Sequence, residues 1–196
     1  RQRYLTMEEI KTLYWHIENR NAFTCNRNVK ERVTKDLMIF TRLALSTGAR
    51  LRSVLTIRKK DINFDTGVVD LVNHKSNRRY KGYLNKKLVE DLLEWCEDLG
   101  TEEYVVGRGH KELHISTINR RMKIIMDRVF NELVTDSRER VVVHTLRHTF
   151  GSLLAIQGTS IQQIMKLLDH TTMKQSLVYA KLSPNSGFNQ VELLGL

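Results

Sequence analysis

Cysteine and proline are scarce in this sequence. Its 196 residues include two cysteines, Cys25 and Cys96, and one proline, Pro184. The two cysteines do not have the spacing of a zinc site, and a chain of this length does not depend on a disulfide framework. We therefore expect two reduced thiols. His110 and His114 lie four residues apart without a carboxylate partner, which favours a surface loop over a metal site.

Long hydrophobic runs are absent as well. No apolar stretch approaches the roughly 18 residues of a membrane-spanning helix, and the start does not resemble a signal peptide. We expect a soluble, cytoplasmic protein with no membrane partner. The sequence starts at Arg1, and "RQRY" runs directly into a helix signal. We therefore expect a fragment of a longer protein whose missing part lies upstream.

Acidic residues are fewer than basic residues. The chain has 22 Asp and Glu against 32 Lys and Arg, which gives a formal net charge of +10. This balance favours a polyanionic partner, nucleic acid more than an anionic membrane. Because 41% of the residues are hydrophobic, one substantial core can form, and we expect a single globular unit.

Helical periodicity is frequent along the chain. Thr6 and Glu9 have the spacing of a capping box and precede an apolar stripe, which predicts a helix over residues 6–20. Asn28 is expected to cap a second, longer helix that stops at Gly48. Further helical segments are predicted at residues 49–57, 86–99, 115–134, 141–155, 160–170 and 172–182.

Residues 61–85 have a different pattern, with alternating polarity and many Val, Tyr and Phe residues. We predict two strands around a turn at residues 65–67 and a third strand near residues 80–84. The loop between the second and third strands, residues 73–79, is expected to carry Lys75, Arg78 and Arg79. The predicted fold class is α+β, a mostly helical domain with a small three-stranded antiparallel sheet.

Three basic side chains share one face of the predicted helix "VVVHTLRHTFGSLLA", residues 141–155. His144, Arg147 and His148 are three and four residues apart, so they are neighbours on the helix surface. An anion bound among them would relieve their repulsion, and a planar guanidinium with histidine donors suits a phosphate. Taken alone, Arg50 and Lys75 would be ordinary solvated cations, and Tyr179 a core or rim residue.

Four sequence blocks follow one another along the chain: "STGARLRSVLTIRKKDI", "HKSNRRYKGYL", "HTLRHTF" and "LLDHTTMKQSLVYAKL". In order and separation they resemble the catalytic domain of tyrosine recombinases, the family of phage-type integrases and Xer-type resolvases. The resemblance runs from about Leu5 to Ser183 and implies the catalytic-domain fold of that family. It identifies six catalytic residues: Arg50, Lys75, His144, Arg147, His170 and Tyr179.

This resemblance implies site-specific recombination of DNA. Tyr179 would attack a phosphodiester to leave a 3′-phosphotyrosyl link and a free 5′-hydroxyl, which can later reverse the step. Arg50, Arg147 and His170 would stabilise the charge of the transition state, so neither a metal nor a cofactor is implied. His144 would accept the proton of Tyr179, and Lys75 would protonate the leaving 5′-oxygen.

The same resemblance implies an assembly on double-stranded DNA. The working enzyme would be a homo-tetramer that exchanges strands through a Holliday junction, with accessory DNA-bending proteins as further partners. Residues 1–184 would form the catalytic domain and residues 185–196 a tail that docks on a neighbouring subunit, while the upstream DNA-clamping domain is expected to be absent. The residues expected to contact DNA are Arg52, Lys59, Lys60, Arg78, Arg79 and His148.

Two positions depart from the family pattern. Ser53 stands where a carboxylate is common, and Asp169 stands where a glycine usually precedes the histidine. Neither change removes a reacting group, so we expect activity. The alternatives are a type IB topoisomerase and a catalytically silent DNA-binding protein of the same fold. A metal nuclease built on His144, His148 and His170 is the least favoured.

Overall fold

The computed structural model describes residues 3–19 and 27–184, with only the backbone given at 27–29. The chain divides into two compact units, Arg1–Phe150 and Gly151–Leu196. Cys25 and the predicted docking tail at residues 185–196 lie outside the described residues. Among the described residues no helix is long and apolar enough to cross a membrane.

The first unit begins with two helices. In α1, Met7–Asn19, the backbone N–H of Glu9 bonds to Thr6 Oγ1 at 3.2 Å, and the N–H of Thr6 bonds to the Glu9 carboxylate at 2.9 Å. The predicted capping box is therefore confirmed. The longer helix α2, Arg27–Thr47, begins before Asn28, so the prediction that Asn28 caps it from outside is wrong.

The short helix α3, Leu51–Leu55, follows α2 and leads through a 3-10 turn, Lys59–Asp61, into the sheet. The sheet contains β1, Ile62–Asn63, β2, Val68–Asn73, and β3, Arg78–Tyr83, paired antiparallel in the order β1-β2-β3. The predicted sheet is confirmed. Arg78 and Arg79 were expected in the loop but belong to β3, because they pair with Asn73 and Val72 of β2.

Two more helices complete the middle of the chain: α4, Lys86–Trp95, and α5, Ile115–Phe130. The sequence predicts that α5 continues to residue 134, but it ends four residues earlier. Asn131 is buried there, where its amide donates to Val141 O at 2.8 Å and its oxygen accepts from Val141 N at 2.8 Å. This pairing to a residue ten positions away competes with further helix.

The helix α6, Val143–Ile156, contains the boundary between the two units. The second unit continues with α7, Ile161–Leu167, α8, Met173–Ser176, and a 3-10 helix, Leu177–Leu182. The segment 172–182, predicted as one helix, is thus divided in two. The predicted fold class is confirmed, because the described chain is mostly helical with one small antiparallel sheet.

The core of the first unit lies between its helices and one face of the sheet. Phe40, Leu13, Ile17, Leu55 and Leu71 are fully buried. Cys96 is a free, buried thiol, and burial raises its pKa to about 11. It is therefore an inert core residue at neutral pH. In the second unit, Ala155, Ile164 and Leu168 are buried.

Candidate active site

Three of the predicted catalytic residues line one cavity of about 290 Å³ in the first unit: Arg50, His144 and Arg147. Much of the remaining wall is apolar, from Phe40, Ala44, Ala49, Leu51, Ile115 and Val143. An anion in this cavity would be less screened by water than at an open surface, so its attraction to the basic groups would be stronger. The cavity is therefore suited to a phosphate.

The position of Arg50 follows from the way in which α2 ends. Gly48 has a φ of 62°, and its N–H bonds to Ala44 O at 3.0 Å, which closes α2 with a left-handed cap. Arg50 then serves as the N-terminal cap residue of α3 in an extended conformation. Its Nη1 is buried and has no hydrogen-bond partner among the described residues. A buried guanidinium donor of this kind favours an anionic ligand.

Arg147 is held by a main-chain contact to the same turn. Its side chain is only 4% exposed, and its Nη1 donates to Gly48 O at 2.8 Å. One turn of backbone therefore places both arginines: the carbonyl of Gly48 orients Arg147, and Arg50 follows Gly48 by two residues. A preorganised donor of this type stabilises developing negative charge without reorganisation.

The two histidines of the basic cluster contact each other on α6. The ring centroids of His144 and His148 are 4.8 Å apart, and the ring planes are at 90°. His144 is exposed and lines the cavity, whereas His148 is half-buried. The predicted crowding is thus found between the histidines, while Arg147 is buried.

Lys75 lies on the turn that joins β2 to β3 and is exposed. It is not among the residues that line the cavity. Its backbone N–H bonds to Asn73 Oδ1 at 3.1 Å, so the turn is structured although the side chain extends into solvent.

His170 belongs to the second unit and follows the end of α7. The N–H of His170 bonds to Met165 O at 3.0 Å, and that of Asp169 bonds to Lys166 O at 3.2 Å, which is the Schellman pattern of a helix end. Asp169 has a φ of 49°. This left-handed backbone explains why the family usually has glycine at this position. The Nδ1 of His170 lies 2.7 Å from Ser176 Oγ, so Ser176 orients the ring.

Tyr179 is also in the second unit, in the 3-10 helix, and is 3% exposed. Its ring packs directly on the backbone of Gly151: a Cβ at position 151 would lie 2.6 Å from Cζ and 2.9 Å from both Cε atoms. The sequence motifs did not single out Gly151. A signal was available, because glycine in a helix interior costs about 1 kcal/mol relative to alanine and indicates a close approach.

Residues 3–186 of the sequence match the profile of the Phage integrase family. This match spans nearly the whole chain. The chain belongs to the phage integrase family.

Its relatives agree with this membership. A tyrosine recombinase of Thermosipho africanus is 22% identical over 191 residues, which cover 97% of this chain and 61% of the relative. The structure of the XerH site-specific recombinase bound to its difH substrate superposes with a TM-score of 0.70 at 18% identity, covering 97% of this chain and 54% of that one. The chain therefore spans about half the length of several relatives.

The catalytic domain of bacteriophage HP1 integrase has the same fold, with a TM-score of 0.69 at 21% identity. The overlap covers 97% of this phage integrase family member and 94% of the HP1 domain. The described chain thus has the tyrosine recombinase catalytic-domain fold, which the sequence blocks predicted.

Ser53 departs from the phage integrase family pattern, and the structure gives it a local role. It is buried, and its hydroxyl donates to Val72 O at 2.6 Å. The side chain therefore connects α3 to β2.

The residues predicted to contact DNA differ in their surroundings. Lys60 forms an ion pair with Glu102 at 2.7 Å, and Lys59 Nζ donates to Leu99 O at 2.9 Å. Arg52 lies 3.8 Å from Glu112. Arg78 and Arg79 are exposed at the start of β3. No three His, Cys, Asp or Glu side chains are grouped to hold a metal within residues 3–19 and 27–184.

Proposed function

We propose that this phage integrase family member is the catalytic domain of a site-specific DNA recombinase that cuts and rejoins strands through a 3′-phosphotyrosyl intermediate. The observation that carries the proposal is the buried Nη1 of Arg50. It has no hydrogen-bond acceptor among the described residues, and Arg50 belongs to the wall of the cavity that Arg147 and His144 also line. A phosphodiester oxygen supplies the acceptor that this donor needs.

In the proposed reaction the Tyr179 oxygen attacks phosphorus, a P–O bond to tyrosine forms and the P–O5′ bond breaks. Negative charge grows on the non-bridging oxygens, and Arg50, Arg147 and His170 stabilise it as fixed donors. Two guanidinium groups thus supply the positive charge that metal-dependent nucleases obtain from cations, so the reaction proceeds without a metal.

Two proton transfers accompany this step. A free tyrosine has a pKa of about 10, so Tyr179 must lose its proton as it attacks, and His144 is the acceptor. Lys75 donates a proton to the 5′-oxygen as that oxygen leaves. The bond energy is retained in the phosphotyrosine, so a 5′-hydroxyl can reverse the step without ATP.

The proposal extends to the assembly in which the domain works. We propose a cytoplasmic, DNA-associated homo-tetramer that exchanges strands of two duplexes through a Holliday junction, with accessory DNA-bending proteins as further partners. The similarity to XerH bound to its difH substrate supports a DNA substrate of this kind. Residues 185–196 are proposed to dock on a neighbouring subunit, and Arg52, Lys59, Lys60, Arg78, Arg79 and His148 to contact DNA.

A suicide-substrate assay tests the covalent step. The 196-residue chain is incubated in EDTA with nicked duplex DNA that carries a candidate recombination site, and a denaturation-resistant protein–DNA band is measured. We expect a band with the wild-type sequence and none with Tyr179→Phe, because phenylalanine lacks the attacking oxygen. DNA binding by the variant should stay within about twofold, since one buried hydroxyl contributes little to phosphate affinity.

The assay has a control for each part of the proposal. A band that persists in Tyr179→Phe would mean that another residue is the nucleophile. A band that disappears with EDTA and returns with Mg²⁺ would contradict the metal-independent reaction.

A further inference from the structure

The turn that carries Lys75 is attached to α3 by two side-chain hydrogen bonds. Ser53 Oγ donates to Val72 O at 2.6 Å, and Thr56 Oγ1 lies 2.9 Å from His74 Nε2. Ser53 and Thr56 are three residues apart on one side of the helix. Val72 is the penultimate residue of β2, and His74 is the first residue of the turn that follows it. The end of β2 and the start of the turn are therefore both bonded to the C-terminal part of α3.

Thr56 Oγ1 also lies near two backbone carbonyls of α3, 3.0 Å from Arg52 O and 3.3 Å from Ser53 O. The direction of its hydrogen bond with His74 Nε2 depends on the tautomer of the histidine ring. Burial and the nearby Arg52 lower the pKa of His74, which favours the neutral ring.

The turn beyond His74 is built on the backbone. Asn73 is 2% exposed, and its Oδ1 accepts from the Lys75 N–H at 3.1 Å. The N–H of Ser76 bonds to Asn73 O at 3.2 Å, and Asn77 adopts a φ of 50°. The backbone of Lys75 is thus fixed between Asn73 and the bond between His74 and Thr56, while its side chain remains exposed.

We propose that Thr56 and His74 are positioning residues for Lys75. The helix α3 that they anchor to has Arg50 as its N-terminal cap. One five-residue helix therefore sets Arg50, which contacts the phosphate, and holds the turn of Lys75, which protonates the leaving oxygen. This inference rests on the role proposed for Lys75.

Amide hydrogen exchange of the DNA-free chain tests the anchor without any need for activity. In the peptide covering residues 72–79, we expect faster exchange in Thr56→Val and in His74→Ala than in the wild type, because opening of the turn becomes easier. The matched controls are Thr56→Ser, which keeps the hydroxyl, and His74→Gln, which keeps a hydrogen-bonding group at similar reach. Equal exchange in Thr56→Val and Thr56→Ser would overturn the proposal.

Cleavage of nicked DNA tests the link to Lys75. We expect Thr56→Val to slow single-turnover cleavage by about twofold to tenfold, the effect of one net hydrogen bond, while Thr56→Ser keeps the wild-type rate. In a Lys75→Ala background the same change should have no further effect, because Thr56 acts through Lys75. Effects that multiply in the double variant would contradict this.

A substrate with sulfur at the 5′ bridging position separates positioning from general destabilisation. When tyrosine attacks, the P–S bond breaks and the sulfur leaves as a thiolate, which needs no proton. Thr56→Val and Lys75→Ala should both cleave this substrate at the wild-type rate, whereas Arg147→Ala should stay slow. A Thr56→Val defect that persists with sulfur would mark Thr56 as merely structural.

The experiments test the proton-donor role of Lys75 and the anchoring role of Thr56 separately. If sulfur does not rescue Lys75→Ala, the proton-donor role of Lys75 is wrong, and the exchange data and the double variant still decide whether Thr56 holds the turn. If the wild type does not cleave DNA, the proposed function fails and the exchange data alone decide the anchor.

Discussion

Arg50 and Arg147 line the same cavity, but their guanidinium groups are held differently. Arg147 already donates to the carbonyl of Gly48, which fixes its orientation. Arg50 keeps a buried Nη1 that has no acceptor within the described residues. An anion that reaches Nη1 would supply the missing acceptor, and the Arg147 guanidinium is already oriented by Gly48 O. Both arginines are therefore candidates to bind a phosphate oxygen.

The position of the Tyr179 ring depends on the absence of a side chain at Gly151. We expect Gly151→Ala to lower the rate of suicide-substrate cleavage by about tenfold or more, since a Cβ 2.6 Å from Cζ must displace the ring and misplacement of about 1 Å is costly. DNA affinity should be unchanged. Single-turnover cleavage and a binding titration give the two values.

A matched control is Gly109→Ala, where a Cβ would meet no atom within 4 Å. It should cleave at the wild-type rate. Wild-type cleavage by Gly151→Ala would show that the contact with Tyr179 does not matter for the reaction.

At the scale of elements, helix ends determine where two of the candidate catalytic side chains, Arg50 and His170, lie in the chain. The left-handed cap at Gly48 directs the chain from α2 to Arg50, and the left-handed residue Asp169 directs it from α7 to His170. Glycine is the usual residue for this conformation, and Asp169 adopts it with a side chain present. The end of α7 therefore contains local backbone strain.

The stabilities of two variants at position 169 measure the cost of this left-handed backbone. Both Asp169→Gly and Asp169→Ala remove the carboxylate, but we expect the glycine variant to be more stable by about 1 kcal/mol, because alanine disfavours a φ of 49°. Urea denaturation measures the difference.

At Lys166, an exposed position inside α7, the order should reverse, with alanine more stable than glycine by about 1 kcal/mol. If alanine were as stable as glycine at position 169, the strain would be absent.

Local signals predicted the elements well. The capping box at Thr6 and Glu9, the stop at Gly48 and the alternation of residues 61–85 each act over a few residues, so they could be read from the sequence. The early end of α5 depends on Asn131 bonding to Val141, and the contact of Gly151 with Tyr179 depends on residues 28 positions apart. Such contacts form only in the fold and leave little trace in a local pattern.

The candidate site was predictable to a similar degree. The family blocks named six candidate catalytic residues, and the structure brings three of them, Arg50, His144 and Arg147, to one cavity. Their supporting partners were not predicted: the carbonyl of Gly48, the hydroxyl of Ser176 and the bond between Thr56 and His74 all lie outside the reacting set. The sequence motifs indicate which groups are candidates for the reaction, whereas their supporting partners are defined by three-dimensional contact.

At the scale of the whole molecule, the count of 32 Lys and Arg residues overstates how many cations can replace counterions on DNA. Lys60 and Arg58 share Glu102, and Lys81 pairs with Asp70. These pairs already neutralise part of the basic surface. Cations such as Arg79, exposed on β3, are better placed to replace counterions on a phosphate backbone.

The salt dependence of DNA binding distinguishes these two kinds of cation. We expect Arg79→Ala to reduce the slope of log K against log salt concentration by about 1, as for the loss of one phosphate contact. Lys60→Ala should change the slope less, because Lys60 is paired with Glu102. Fluorescence anisotropy over a range of salt concentrations measures both slopes, and an equal change in the two variants would refute the distinction.

The hydrogen bond from Arg147 to Gly48 O joins residues 99 positions apart in the sequence. During synthesis, the turn at Gly48 leaves the ribosome long before its partner arginine exists. The contact that orients Arg147 is therefore a long-range one, which forms only after α6 has been made. A nascent or truncated chain that ends before α6 has Arg50 but neither His144 nor Arg147, so it lacks two of the basic side chains that line the cavity.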